Sequence, residues 1–316
     1  MRKHLPAIVS LAVVAVVIAL LPFQLDGYHE GLMARVGVFF IAILGLNILT
    51  GYTGQISIGH GAFMAIGGYT TAVMSHYHDT NLILTLPLAF AISFGFGVLV
   101  GIPALRFSGV YLALVTFALA VSVPQFALKW SKFFGGSNGL QTTTTPTQLW
   151  LFVVTWSSAG ILYLVAWLVL RGRTGRAFRA VRDSEIAAAA SGVALPIYKT
   201  LAFGISAAFA GVAGSLLVLT TNGFAQPNEF AVFLSLEILV GAAVAGFGSL
   251  WGILVGALFI GLLPTVSADV PLIGSSHGQD VVFGLIVIGI MLLLPTGFAG
   301  LLRRIRTLPG IRTEET

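Results

Sequence analysis

Glu237 is the one carboxylate set inside an apolar run, Phe230-Ala231-Val232-Phe233-Leu234-Ser235-Leu236-Glu237-Ile238-Leu239-Val240-Gly241. In hydrocarbon such a group costs about 3 kcal/mol unless it meets a partner or water. It therefore either faces a pathway or hydrogen-bonds a neighbouring helix; a proton-coupled carrier would need a chain of such groups, and this run holds one. The densest uncharged polar stretch is 47–61, where Asn47, Gln55, Ser57 and His60 alternate with Gly51, Gly54, Gly59 and Gly61. Glycines there weaken a continuous helix, and the polar side chains can satisfy freed backbone groups. Two readings stand: a helix break beside a pathway, or a glycine-rich turn between two tightly packed helices. His60 has no HExxH context, so it reads as a hydrogen-bonded packing residue or helix-cap contact rather than a metal ligand. No serine sits in a strand-turn-helix context, and cysteine is absent, which removes thiolate catalysis, disulfides and Cys-based metal sites.

The elements that position these residues follow from composition. The 316 residues are 57% hydrophobic and only 9% charged, where a soluble domain carries about 25% charged residues. A water-facing surface cannot be assembled from that, so the expected class is all-α and polytopic in a membrane. A span needs about 20 apolar residues, and that ruler marks about ten: 6–24, 33–50, 57–75, 82–104, 109–128, 150–170, 200–220, 231–247, 251–268 and 281–299. The first reads as a retained helix, since it exceeds a signal-peptide core of about 7–15 residues and lacks a clean A-x-A site. One transmembrane domain, 1–316, is expected, with a loop at 171–199 and a tail at 300–316.

Threading from an inside N-terminus puts Arg2, Lys3, Arg106, Arg171, Arg173, Arg176, Arg179, Arg182, Lys199, Arg303, Arg304, Arg306 and Arg312 inside, and only Arg35, Lys129 and Lys132 outside. Both termini are therefore expected in the cytoplasm. The net charge of +5 is explained by orientation, so nucleic-acid binding is not expected. Glycine, at 38 residues, exceeds the usual 7% or so. Gly211-x-x-Gly214, Gly252-x-x-x-Gly256 and Gly256-x-x-x-x-Gly261 read as close-packing positions. A faint echo between Gly59-His60-Gly61-Ala62-Phe63 and Gly246-Phe247-Gly248-Ser249-Leu250 hints at an internal repeat of the two halves.

The basic loop is the largest charged feature. Its residues 174–191 favour one short amphipathic helix with Phe178, Val181, Ala188 and Ala189 on one face and Arg176, Arg179 and Asp183 on the other. Gly192 supplies a C′ residue and Pro196 discourages continuation. Such a protrusion is either a docking knob or a basic helix lying on anionic headgroups.

The string Gly175-Arg176-Ala177-Phe178-Arg179-Ala180-Val181-Arg182-Asp183-Ser184-Glu185-Ile186-Ala187-Ala188 with Gly192 resembles the coupling loop of ABC-importer permeases of the branched-chain amino-acid type. The runs 51–63, 135–140 and 246–252 resemble the same family, and Arg-Asp-Ser-Glu points to its M-type (LivM-like) subunit. The resemblance implies a subunit that is no enzyme and binds no cofactor. It implies a second, H-type permease, two cytosolic ATPase subunits that use ATP and Mg, a substrate-binding protein, and a multi-pass place in a bacterial cytoplasmic membrane. It implies alternating access for branched-chain amino acids, with ATPase coupling through Arg176, Arg179, Arg182, Asp183, Glu185, Ala187, Ala188 and Gly192. The glycine falls one position farther from the glutamate than in the general pattern of other importers. Asn47, Gln55, Ser57 and Glu237 are the expected pathway residues, and 135–145 the outer mouth. The sequence holds no GxxxxGK[ST] phosphate loop, which independently supports the expectation that ATP is hydrolysed by separate subunits. Relatives within that family carry urea, short amides or sugars, and an ion-coupled carrier would share the hydropathy.

Overall fold

The computed structural model describes residues 26–107 and 109–268, together with isolated helical positions between 284 and 300. The expected first span and residues 301–316 of the tail fall outside the described residues, and only those scattered positions of the expected tenth span fall within them. Within the described residues the regular structure is helical apart from one two-stranded ribbon, and every expected span between 33 and 268 has its helix.

Helix α1, Gly27–Leu46, is apolar all round and runs into a π-helical turn, Asn47–Tyr52. Then come α2, His60–His78, α3, Leu82–Ala104, and α4, Val110–Lys129. A short α5, Ser131–Phe134, leads to strand β1, Leu140–Gln141, and to α6, Gln148–Arg171. Helices α7, Arg173–Asp183, and α8, Glu185–Ala190, form the basic loop. Helix α9, Leu195–Thr220, is followed by β2, Phe224–Ala225, by α10, Val232–Ala245, and by α11, Ile253–Ala268. Among the described residues, five helical stretches are long and apolar enough to cross a bilayer: α1 with its π turn, α3, α4, α6 and α9.

Helices α1 and α9 form the centre and are almost wholly buried, while α3, α4 and α6 leave apolar faces exposed. Glycine makes the centre possible. A Cβ on Gly211 would strike Ser93 of α3, one on Gly67 would strike the Gly211 carbonyl, and one on Gly214 the Met64 carbonyl. Thus α2, α3 and α9 touch backbone to backbone, with dispersion and interhelical hydroxyl contacts replacing the hydrophobic drive that lipid does not supply. Thr71 bridges them, bonded to Ser215 of α9 and to Thr85 of α3 at 3.1 Å. Gly252 and Gly256 pack on the Ala245 and Gly241 carbonyls, and Gly261 on Val36, joining α11 to α10 and α1.

Two crossings are interrupted. After Tyr52 the chain turns at Thr53 and Gly54 and returns alongside α1 as irregular backbone, until α2 starts with the His60 ring against Gly45. Gly45 precedes Tyr52 by about two helical turns. At the other end, residues 221–231 descend from α9 until buried Phe230 lies beside Gly68. Helix α10, with 14 residues, is therefore about 21 Å long, well short of the roughly 30 Å of a hydrocarbon core. The interruptions meet where the Gly61 amide donates to Ser235 Oγ at 2.8 Å. Both alternate buried residues (Thr53, Gln55, Ser57 and Gly59; Gly223, Ala225, Pro227 and Phe230) with exposed ones such as Ile56 and Asn228, so protein covers only part of this irregular backbone. The run 47–61 therefore breaks the helix after Tyr52 and makes the turn that joins α1 to α2.

The single helix expected over 174–191 is two helices. Ser184 is extended (φ −165°) and its hydroxyl accepts from the Ala187 amide, so it ends α7 and caps α8. As a result Ala189 is exposed, not on the buried face with Phe178, Val181 and Ala188. The two runs of the suspected repeat also differ in role: 59–63 opens α2 inside the bundle, whereas 246–250 makes the turn between α10 and α11.

Candidate functional site

The charged end of the molecule is a knob built from α7 and α8 on a compact base. Gly175 sits directly on the Leu170 carbonyl at the end of α6, with no room for a side chain. Arg179 Nη1 donates to that same carbonyl at 3.2 Å, satisfying a helix C-terminus with a cation. Phe178 is fully buried and meets Tyr198 of α9 edge to face. Helix α8 ends in a Schellman arrangement: the Val193 amide donates to the Ala188 carbonyl and the Gly192 amide to that of Ala189, with Gly192 at φ +83°.

Glu185, the acidic member of the coupling string, turns inward. Its Oε1 lies 2.6 Å from Nζ of Lys199 on α9; the lysine side chain is 7% exposed and the glutamate 44%. The outward surface mixes charged residues, among them exposed Arg173, Arg176 and Asp183, with apolar points: Ile186 is 86% exposed and Ile197 66% exposed, and Ala187 and Ala190 of α8 are exposed too. Sequence reasoning placed Lys199 in the basic set without linking it to Glu185, because fourteen residues and two turns separate them. It also missed Ile186 as the exposed apolar point; an isoleucine among alanines carried no signal.

Beneath the knob three sequence runs converge. Arg182 holds Asp183 Oδ1 through Nε and Nη2, at 3.1 and 3.0 Å, and its Nη1 donates to the Gly51 carbonyl at 3.2 Å. Gly51 packs against Gly248 so closely that a Cβ would strike the Gly248 amide. Asn47 completes the junction: its Nδ2 donates to the Ser249 carbonyl at 2.9 Å and its Oδ1 accepts from the Gly248 amide at 2.8 Å. The side chain of Asn47, 1% exposed, is thereby engaged in joining the π turn to the α10–α11 turn.

The other expected pathway residues line the returning segment. Gln55 Nε2 donates to Thr53 Oγ1 at 2.9 Å, and Ser57 Oγ accepts from the Gly59 amide at 3.3 Å; both residues are buried. The Ile58 amide donates to Thr116 of α4 at 3.0 Å, a contact with no sequence signal. Glu237 is half-buried on α10, two residues past Ser235, and is engaged within the fold. His60 packs as expected but is not hydrogen-bonded: burial against α1 and α9 leaves both ring nitrogens without a partner among the described residues.

At the opposite end, β1 pairs antiparallel with β2, Leu140 opposite Ala225, and the Thr142 amide donates to the Gly223 carbonyl at 2.9 Å. The 135–145 loop thus clasps the loop that descends into the bundle. The spacing Gly135-x-Ser137-x-Gly139 fits a nucleophile-elbow template, yet residues 136–138 form a 3₁₀ turn between α5 and β1, with all three glycines at positive φ. An apolar cavity of about 580 Å³ lies between α2, α3 and α4, walled by Ile66, Tyr69, Ile92, Phe96 and Leu119 and closed towards this end by Phe133 and Phe134. No cluster of three or more His, Asp or Glu able to hold a metal occurs among the described residues.

Residues 28–294 match the family model described as "Branched-chain amino acid transport system / permease component". The chain is 33% identical to the high-affinity branched-chain amino acid transport system permease protein LivM of Salmonella typhimurium and 32% identical to LivM of Escherichia coli K12. Each match covers 270 residues, 76% of this chain and 63% of the relative's length. It is also 25% identical over 291 residues to the Salmonella typhimurium permease protein LivH, covering 83% of this chain and 91% of that protein. No solved structure matches.

Proposed function

We propose that this chain, which belongs to the branched-chain amino acid transport permease family, is one membrane-spanning subunit of an ATP-driven importer for branched-chain amino acids. The observation that carries the mechanism is the knob: a helix pair with an exposed isoleucine at its point, fixed to the spans at its base by Glu185–Lys199 and Arg182–Gly51. Such a body receives motion from a cytosolic partner and delivers it to helices. The chain has no phosphate loop, so two ATPase subunits hydrolyse ATP with Mg and dock on α8, mainly at Ile186, Ala187 and Ala190. A second permease of the H type supplies the other wall of the pathway, and a binding protein delivers substrate near the 135–145 clasp. The knob end faces the cytoplasm, as do both termini, in the inner membrane.

Substrate passes unchanged, so the protein's work is to open and close a route. The interrupted crossings, 53–59 and 221–231, are the parts of the wall not locked into continuous helix, and they meet at Gly61 and Ser235. Gln55 and Ser57 lie on one of them, and Glu237 follows the other. The apolar wall around Ile66, Phe96 and Leu119 suits a cargo whose side chain is hydrocarbon.

The test is uptake of labelled leucine, isoleucine and valine into proteoliposomes holding this chain with its genomic-neighbour permease, ATPases and binding protein, with urea as a second solute. Uptake of the amino acids that requires both ATP and binding protein is expected. Uptake by this chain alone under an ion gradient would sink the reading, and selective urea uptake would replace the substrate.

A further inference from the structure

Three sequence runs that are far apart in the chain meet at one point beneath the knob, and the contacts there are specific. Arg182 bonds the Gly51 carbonyl, the last turn of a π-helix. A π turn leaves the regular i to i−4 ladder, so its carbonyls are open to an outside donor, and such turns recur at working positions. Asn47, one turn earlier, uses both ends of its amide on Gly248 and Ser249. Gly51 and Gly248 carry no side chains to hold the three segments apart. The knob is therefore bonded at once to the break between α1 and α2 and, through Asn47, to the turn between α10 and α11. These are the segments that continue into the two interrupted crossings: 53–59 begins directly after the π turn, and α10 follows 221–231.

We propose that Arg182 and Asn47 are positioning residues that pass knob motion to the interrupted crossings, the joint between α7, the π turn and the α10–α11 turn staying closed and moving as one body. This rests on the transport function proposed above. Arg182, whose side chain is 39% exposed, is thus assigned to the joint with the π turn rather than to ATPase contact, and Asn47 to transmission and not to the pathway.

The experiment measures substrate moved per ATP hydrolysed in the reconstituted full complex, together with recovery of the ATPase subunits on purification. For Arg182→Ala and for Asn47→Leu, the ATPases are expected to remain bound and to hydrolyse ATP, while substrate moved per ATP falls about tenfold, the scale of one charge-assisted hydrogen bond lost by the first variant and of two neutral ones lost by the second. A variant complex that sheds its ATPases, or an unchanged ratio, overturns the assignment. A mechanical link is tested directly because the chain has no cysteine. A Cβ built on Gly54 lies 3.7 Å from Cβ of Arg182, within disulfide range. The Gly54→Cys, Arg182→Cys pair is expected to be uncoupled when reduced and to regain coupling when oxidised; no recovery on oxidation overturns the closed joint. Absence of ATP-driven uptake by the unmodified complex would refute the transport reading instead, so the two failures are separable.

Discussion

Glu185 and Lys199 show how a residue's role changes once its partner is known. In the string Arg-Asp-Ser-Glu the glutamate reads as a contact for another protein, yet it bonds a lysine with little access to water. Removing Glu185 leaves the poorly solvated Lys199 charge without its counter-ion, which costs more than the pair contributes. Glu185→Lys alone is therefore expected to abolish transport, and the swap Glu185→Lys, Lys199→Glu to restore part of it. A swap that stays inactive because the ATPases no longer co-purify would return Glu185 to the docking surface. Lys199 was legible only as one more basic residue, since sequence distance hides a contact formed by α8 folding back onto α9. Gly192, by contrast, was fully legible: a glycine after an alanine run marks a helix stop, and it stands at φ +83°.

Helices were legible wherever an apolar run approached the bilayer thickness, and the expected 82–104 coincides with α3. What escaped was each place where polar detail overrode propensity. Ser184 splits a run of strong helix formers because its hydroxyl caps the next helix, and the alanines on both sides masked that break. The glycine patterns were legible as packing signals, although which helix each met was not. The contrast between Gly211 and Gly160 tests this: the first faces Ser93 backbone-close, whereas nothing lies within 4 Å of a Cβ on the second. Gly211→Leu is expected to destabilise the detergent-solubilised protein by about 1–3 kcal/mol or more, seen as a lower Tm, and Gly160→Leu to leave Tm unchanged. Equal losses for both would mean that α9 does not pack through Gly211.

For the whole molecule, the proposed orientation rests on the asymmetry of arginine and lysine, and the structure collects the basic knob at one end and the β1–β2 clasp at the other. Because the chain lacks cysteine, single substitutions report sidedness cleanly. Trp130→Cys, at an exposed position beyond α4, is expected to react with an impermeant maleimide added outside intact cells. Ile186→Cys is expected to react only after permeabilisation. Labelling of both from outside would overturn the orientation.

The sequence by itself determined the class, the membrane setting, the helices between 33 and 268, the basic loop and the family. Those properties depend on local composition and on runs of neighbouring residues, which solvent and bilayer read directly. Only the tertiary structure decided that Glu185 faces inward, that Asn47 joins two turns, and that α10 starts within the bundle. Each of these depends on which distant backbone groups come within hydrogen-bond reach, such as Asn47 and Ser249 at 2.9 Å across 202 positions, and no local pattern encodes that proximity.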